Sequence, residues 1–226
     1  MQVPGMKRVV DLLAAAVALL FLAPFLLPIM LALRLTGEGE VFYRQARVGY
    51  KNRIFYIWKF ATMLKNSPNM GAGSLTLRHD PRVTALGGWL RRTKINELPQ
   101  LINLLTGDMT LVGPRPQMKV DFEAYPIDIQ QDIYKIKPGI TGIGSIIFRD
   151  EERLLSVPGR DPRKFYVEHI ALYKGKIELW YQDHVSIWMD IRLLLLTAWA
   201  IFKADSDLPF RIFQDLPPLP AILKVE

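Results

Sequence analysis

The chain has 226 residues, half of them hydrophobic, with 29 Lys and Arg against 22 Asp and Glu, for a formal charge of +7. It contains no cysteine, which excludes a disulfide framework and thiolate chemistry, and the isolated His79, His169 and His184 lack metal-ligand spacing. The basic balance asks for anionic partners, but aromatic residues are not interleaved with a basic stripe, so nucleic acid is not expected among them.

Lys7 and Arg8 precede an apolar run over residues 12–33 that Arg34 closes. About 20 apolar residues are enough to cross a bilayer core. A signal peptide is not expected, because the run is long and no small-residue cleavage site follows it. Pro24 and Pro28 lie four apart near its middle. Each removes a helical N–H and presses on the carbonyl one turn earlier, which predicts a sharp bend. Each arm is then about 10–12 residues, or roughly 15–18 Å, close to one leaflet of the core. Basic residues flank both ends, so the positive-inside rule does not assign them to opposite sides. The expectation is a re-entrant helical hairpin with both ends in the cytoplasm, rather than a straight span.

Beyond it, residues 41–47 and 53–60 read as two strands of a hairpin turning around residues 49–52. Lys59, on the second strand, reads equally as an edge lysine or a phosphate contact. Residues 62–82, with Pro68, Gly71, Gly73 and Pro81, form a long polar loop of the kind that is either disordered or a functional lid. Residues 84–92 predict a short helix. The stretch that follows packs cations and carboxylates around turns. Arg91, Arg92, Lys94 and Arg115 suit a diphosphate, and Glu97 and Asp108 are carboxylates able to hold a divalent ion. Leu98, Leu101, Ile102, Leu104 and Leu105 recur at helical spacing, with Gly107 as the stop. That places a helix N-terminus, which favours anions, at Asn96–Glu97. The plainer reading is a surface helix with an Asn cap and solvated charges.

After Pro116, helical pieces are expected at residues 120–125 and 127–134. Gly139, Gly142 and Gly144 then let backbone approach a ligand closely, and Lys137 and Arg149 add charge, although a plain turn explains the glycines as well. The spacing is neither a Walker A nor a Rossmann fingerprint. Residues 162–173 and 176–183 read as amphipathic helices whose Tyr173, Trp180 and Tyr181 suit core or interface alike. Residues 187–202 are apolar but interrupted by Asp190 and Arg192, and the uninterrupted part is too short to span. Trp188 and Trp199 suit a membrane interface, and a buried core helix is the equal alternative. Beyond residue 205, Pro217, Pro218 and Pro220 predict an extended arm. The fold class expected is mixed α/β, mostly helical and monotopic. Residues 1–35 form the membrane helix, 36–204 a cytoplasm-facing domain with a small β-hairpin and interfacial helices, and 205–226 the arm.

Ordered motifs through residues 8–200 give this chain a resemblance to the bacterial sugar transferase family, the monotopic phosphoglycosyl transferases. They are the Pro-bent hydrophobic segment, Phe42-Tyr43-Arg44-Gln45-Ala46-Arg47-Val48-Gly49, Tyr56-Ile57-Trp58-Lys59-Phe60-Ala61-Thr62-Met63, Asn96-Glu97-Leu98-Pro99-Gln100-Leu101, Gly107-Asp108-Met109, Val112-Gly113-Pro114-Arg115-Pro116, and Lys137-Pro138-Gly139-Ile140-Thr141-Gly142. The length resembles the small members that consist of the catalytic core. The resemblance implies transfer of a sugar-1-phosphate from a UDP-sugar to polyprenol (undecaprenyl) phosphate with release of UMP, at the cytoplasmic face of the bacterial inner membrane. In the family an Asp-Glu pair acts: the Asp attacks the β-phosphorus and the Glu helps bind Mg²⁺. Attack on phosphorus needs an anionic nucleophile whose repulsion is offset by metal and cations. Glu97 then matches the metal-binding Glu, and the substrate-binding set comprises Lys59, Arg91, Arg115, Pro116, Lys137 and Arg149.

Asn96 departs from the pattern, because it stands where the nucleophilic Asp is expected, and a carboxamide is a poor oxygen nucleophile. Three readings are open: Glu97 is the nucleophile, Asn96 marks a variant that binds but barely turns over, or Asp108 acts after the turn folds back. A membrane-anchored scaffold without catalysis is the rival function. The sugar is not readable, and residues 143–149 and 62–82 are the candidates to select it.

Overall fold

The computed structural model describes residues 4–70, 74–203 and 207–224. It is mixed and mostly helical, with a small sheet component and one long apolar N-terminal helix, an architecture compatible with a monotopic membrane protein. That helix, α1 (Pro4–Leu35), runs without interruption through Pro24 and Pro28. It is long and apolar enough to cross a membrane. Its packing is one-sided. Ala15, Leu19 and Leu22 meet Ile57, Leu101, Leu104 and Met109, and Leu26, Met30 and Leu33 continue the stripe onto Phe60 and Leu90. The opposite face leaves Leu13, Leu20, Phe21, Phe25, Leu27 and Leu31 exposed. A stripe at spacings of three and four lays the helix along the body over nearly its whole length.

Polar ties fix the start of α1. Lys7 pairs with Asp190 at 2.8 Å and donates to the Val112 carbonyl at 2.9 Å, while Arg8 donates to the Leu104 and Leu105 carbonyls. Arg8 thereby serves the C-terminal carbonyls of a helix that has no further residues to satisfy them. Asp11, 4 % exposed, accepts from the Thr110 hydroxyl at 2.7 Å and the Leu111 N–H at 3.0 Å. Asp11→Ala leaves two buried donors unpaired, a loss of about 2 kcal/mol or more. Thermal unfolding in detergent is expected to drop by about 4–8 °C.

β1 (Phe42–Val48) and β2 (Ile54–Phe60) form the expected antiparallel hairpin, with Tyr43 opposite Lys59 and Arg47 opposite Phe55. The far edge of β2 is closed by one side chain: Asn103 accepts from the Trp58 N–H at 3.0 Å and donates to the Tyr56 carbonyl at 2.8 Å. α2 (Ala85–Arg92) follows, capped by the Thr84 hydroxyl. Then come a 3₁₀ segment (Ile95–Gln100) and α3 (Leu101–Thr106), which ends at Gly107 in the left-handed conformation, φ +88°. The helix start expected at Asn96–Glu97 is therefore corrected. Pro99 lacks an N–H and its ring crowds the preceding turn, so the chain enters as 3₁₀ and turns α-helical only at Leu101.

β3 (Thr110–Val112) pairs in parallel with β4 (Gly139–Thr141). Between them lie α4 (Lys119–Phe122) and α5 (Ile127–Asp132), near the expected positions. α6 (Ile143–Ile147) and α7 (Glu151–Leu155) come next. The two helices expected over residues 162–183 prove continuous. α8 (Pro162–Phe165) passes through a π segment (Tyr166–Ala171) into α9 (Leu172–Asp183). Gly175 does not break this helix. It admits Ile129, which a Cβ there would meet at 2.7 Å. Tyr173, Trp180 and Tyr181 are all buried, so they belong to the core.

α10 (Ile187–Phe202) is a core helix on one face and carries exposed apolar residues on the other. Met189, Leu193, Leu196 and Ala200 are buried in the core, while Trp188, Leu195, Trp199 and Phe202 stand exposed. The tail is a correction. Instead of an extended arm it carries α11 (Leu208–Ile212) and buries Phe213, Leu216 and Leu223 in the main core. Position 205, like Gly71 and Gly73, lies outside the described residues.

Candidate active site

Lys94 adopts a left-handed conformation, φ +60°, and turns the chain from α2 into the 3₁₀ segment. Because Asn103 seams this region to β2, Glu97 lands over the Lys59 side chain. Glu97 Oε1 accepts from Arg115 at 2.6 Å and from Lys59 Nζ at 3.1 Å, and Oε2 accepts from the other Arg115 nitrogen at 3.2 Å. Arg115 comes from the turn after β3. The fold thus joins three distant residues, 59, 97 and 115, in a two-point guanidinium–carboxylate clasp with a lysine at its side.

Burial works against ionising Glu97, but Arg115 and Lys59 outweigh it and hold the carboxyl well below its ordinary range. Burial pulls Lys59 down to about 7, with Glu97 opposing. The shorter, bidentate Arg115 contact is the one that keeps Glu97 anionic.

These residues floor an open cleft of about 1800 Å³ whose walls also carry Arg47, Arg91, Lys94 and Arg149. Arg47 is brought down to about 10, by burial first and by Arg115 second. Several polar atoms at the cleft are buried without a partner among the described residues: Asn96 Oδ1, Arg47 Nε and Ser145 Oγ. Such atoms cost free energy unless something pairs with them, which points to a polar ligand. Among the described residues no group of three or more His, Asp and Glu converges as a ready metal cage.

The profile of the bacterial sugar transferase family matches residues 3–204. The chain belongs to that family. It is 36% identical over 203 residues to the undecaprenyl-phosphate glucose phosphotransferase of Komagataeibacter xylinus, covering 84% of this chain and 35% of the relative. It is 32% identical to the UDP-N-acetylgalactosamine-undecaprenyl-phosphate N-acetylgalactosaminephosphotransferase of Aeromonas hydrophila, covering 84% of this chain and 42% of that one. A third relative, the exopolysaccharide production protein PSS of Rhizobium leguminosarum bv. phaseoli, is 33% identical, with 85% of this chain and 92% of the relative covered. The chain therefore spans less than half the length of the first two.

Of the family-site residues expected from the sequence, Lys59, Arg91, Asn96, Glu97, Arg115 and Arg149 all line the cleft. Arg91 reaches Glu152 at 3.3 Å. Pro116, Lys137 and Asp108 do not line it. Pro116 is buried, and its carbonyl accepts from Arg47 at 3.2 Å, so it shapes the turn behind Arg115. Lys137 lies beside Gly113, where its carbonyl faces the β3–β4 pairing. Gly139 is needed for that pairing, since a Cβ there would fall 2.1 Å from the Gly113 nitrogen. Asp108 is exposed on the turn after α3, held by the Thr106 hydroxyl at 2.7 Å. The turn does not fold it back toward Glu97.

Arg47 was missed as a site residue. Strand alternation could have found it, because Arg47 pairs with Phe55, two residues from Ile57 and four from Lys59, on one face of the hairpin. Asn103 gave no signal, because its role depends on which strand edge it meets.

Proposed function

We propose that this transferase moves a sugar-1-phosphate from a UDP-sugar to a polyprenol phosphate, undecaprenyl phosphate in a bacterial membrane, and releases UMP. The carrying observation is the anionic Glu97 held by Arg115 and Lys59 in a cation-walled cleft. The names of the relatives, which describe glucose and N-acetylgalactosamine phosphotransferases acting on undecaprenyl phosphate, support it. Glu97 is the acting carboxylate. Its oxygen attacks the β-phosphorus, the bond to the bridging oxygen breaks, and UMP leaves with that electron pair. The phosphate of the acceptor then attacks the same phosphorus and frees the carboxylate. Arg115, Lys59 and Arg149 offset the charge that builds up on the phosphoryl oxygens. Mg²⁺ fits the site through Glu97, the unpaired Asn96 Oδ1 and substrate phosphates, since this ion is usually held by one or two carboxylates with phosphates. When bound it neutralises diphosphate charge.

The packed stripe of α1 supports a re-entrant placement, both ends on the cytoplasmic side, with its exposed face and that of α10 in the lipid. Labelling of cysteines introduced at either end of α1 is expected to mark both from the cytoplasmic side only, and labelling from opposite sides would make the helix a span.

The test of the reaction is transfer of radiolabelled sugar phosphate into organic-extractable lipid, with UDP-sugars screened by UMP release. Intact-mass measurement with donor alone is expected to show a sugar-phosphate adduct on the peptide carrying residue 97. UMP release with no adduct removes the covalent step and leaves direct transfer between phosphates. No transfer with any donor refutes the enzyme.

A further inference from the structure

Arg115 lies in the turn Gly113-Pro114-Arg115-Pro116, where the two prolines have no N–H. The Gly113 N–H is taken by the Thr141 carbonyl at 2.9 Å. The Arg115 N–H goes instead to a side chain, Glu178 Oε1 of α9, at 3.3 Å. On the other side, the Tyr134 hydroxyl donates to the Arg115 carbonyl at 2.8 Å and accepts the Gln117 N–H at 2.9 Å. Both main-chain polar groups of Arg115 therefore end on buried side chains, while its guanidinium lies across Glu97. Glu178 is 1 % exposed, and its second oxygen has no partner among the described residues. Gly144 makes room for it, because a Cβ there would sit 2.3 Å from Oε1.

We propose that Glu178 is a positioning residue that sets the Arg115 backbone so that its guanidinium clasps Glu97. The proposal rests on the reading of the site as the transfer centre. Burial raises the Glu178 carboxyl to about 7, opposed by the Arg115 N–H and by Lys174 one turn earlier. Lys174 is itself paired with Glu151 of α7, and the buried hydroxyls of Tyr125, Tyr134 and Tyr181 face the same region. A carboxylate accepts an N–H more strongly than a carboxylic acid does. The clasp therefore tightens as pH rises through about 7 and slackens below it.

The test uses the full chain in detergent or nanodiscs with Glu178→Gln and Glu178→Leu. Gln keeps an acceptor oxygen but does not titrate, and Leu removes the acceptor at similar volume. Between pH 6 and 8 wild-type kcat is expected to rise about threefold more than that of Glu178→Gln, whose neutral amide holds the clasp near its low-pH level while Lys59, brought to about 7, titrates in both. Glu178→Leu is expected to lose about tenfold or more in kcat at every pH. Hydrogen exchange supplies a readout independent of turnover. Arg115 carries the sole main-chain N–H of residues 114–116, and its exchange is expected to accelerate about tenfold or more in Glu178→Leu and to stay slow in Glu178→Gln. A pH step as large in Glu178→Gln as in wild type, or slow exchange at Arg115 in Glu178→Leu, overturns the proposal. If no donor yields UMP, the exchange result still decides the clasp, and the failure belongs to the reading of the site.

Discussion

Glu97→Gln is expected to lower UMP release by roughly 10³-fold or more and to abolish the donor-alone adduct, in line with the removal of a nucleophile. The substitution keeps the shape of the side chain and its acceptor oxygen, so the fold should survive. It removes the negative charge that Arg115 and Lys59 converge upon. Two half-buried cations then face a neutral amide, so thermal unfolding is expected to fall modestly, with the loss of turnover far exceeding it. Donor affinity measured without Mg²⁺ should change little or improve, because the cations are released toward the diphosphate. Binding without turnover thus separates a chemical role for Glu97 from a purely structural one. An adduct that persists in Glu97→Gln would move the covalent chemistry to another residue.

The largest expected effect on stability comes from Arg82→Ala. Arg82 is 2 % exposed and lies against Asp80, itself almost wholly buried, with contacts from 2.6 to 3.1 Å. Its guanidinium also donates to the Ser67, Met70 and Leu75 carbonyls at 3.3, 3.0 and 2.8 Å. Removing it strands a buried carboxylate and three carbonyls, a cost of about 3–5 kcal/mol. That corresponds to a fall in Tm of about 6 °C or more for a chain of this size. The same loop walls the cleft through Ser74, Thr76 and Arg78. Surviving Arg82→Ala protein is therefore expected to show a raised KM for the sugar donor. Arg82→Lys, which has too few donors to serve all four partners, should fall between the two. A melting temperature and KM unchanged in Arg82→Ala would mean that this arginine does not order the wall.

The loop over residues 62–82 shows how the sequence misleads at such a place. Its Pro and Gly content reads as disorder or a lid, yet much of the loop is held by one internal ion pair. The pattern carries no signal for that, since nothing in the spacing of Asp80 and Arg82 says that both will be buried.

Other parts were legible because they depend on near neighbours in the chain. The hairpin follows from alternation about a turn, α2 lies within the short helix expected over residues 84–92, and the end of α3 follows from a glycine able to adopt positive φ. The long apolar segment and the excess of cations are compositional, and the ordered motifs placed the chain in its family. Asn96 and Glu97 were visible as an amide beside a carboxylate.

What only the tertiary structure decided is which distant groups meet. Lys59, Glu97 and Arg115 come from a strand, a 3₁₀ turn and a proline-flanked loop, and the Asn103 seam and the buried Glu178 bring them together. Asp108 and Lys137 had equal claims by composition and were left out of the cleft, because the turn after α3 and the β3–β4 pairing direct them elsewhere. The packing of the tail into the core was equally hidden, since proline spacing reports local extension and says nothing of what the extended chain lies against. Local backbone preference and hydrophobic period are written in consecutive residues. The partner that desolvates a charge or accepts a hydrogen bond is chosen only when the chain closes on itself.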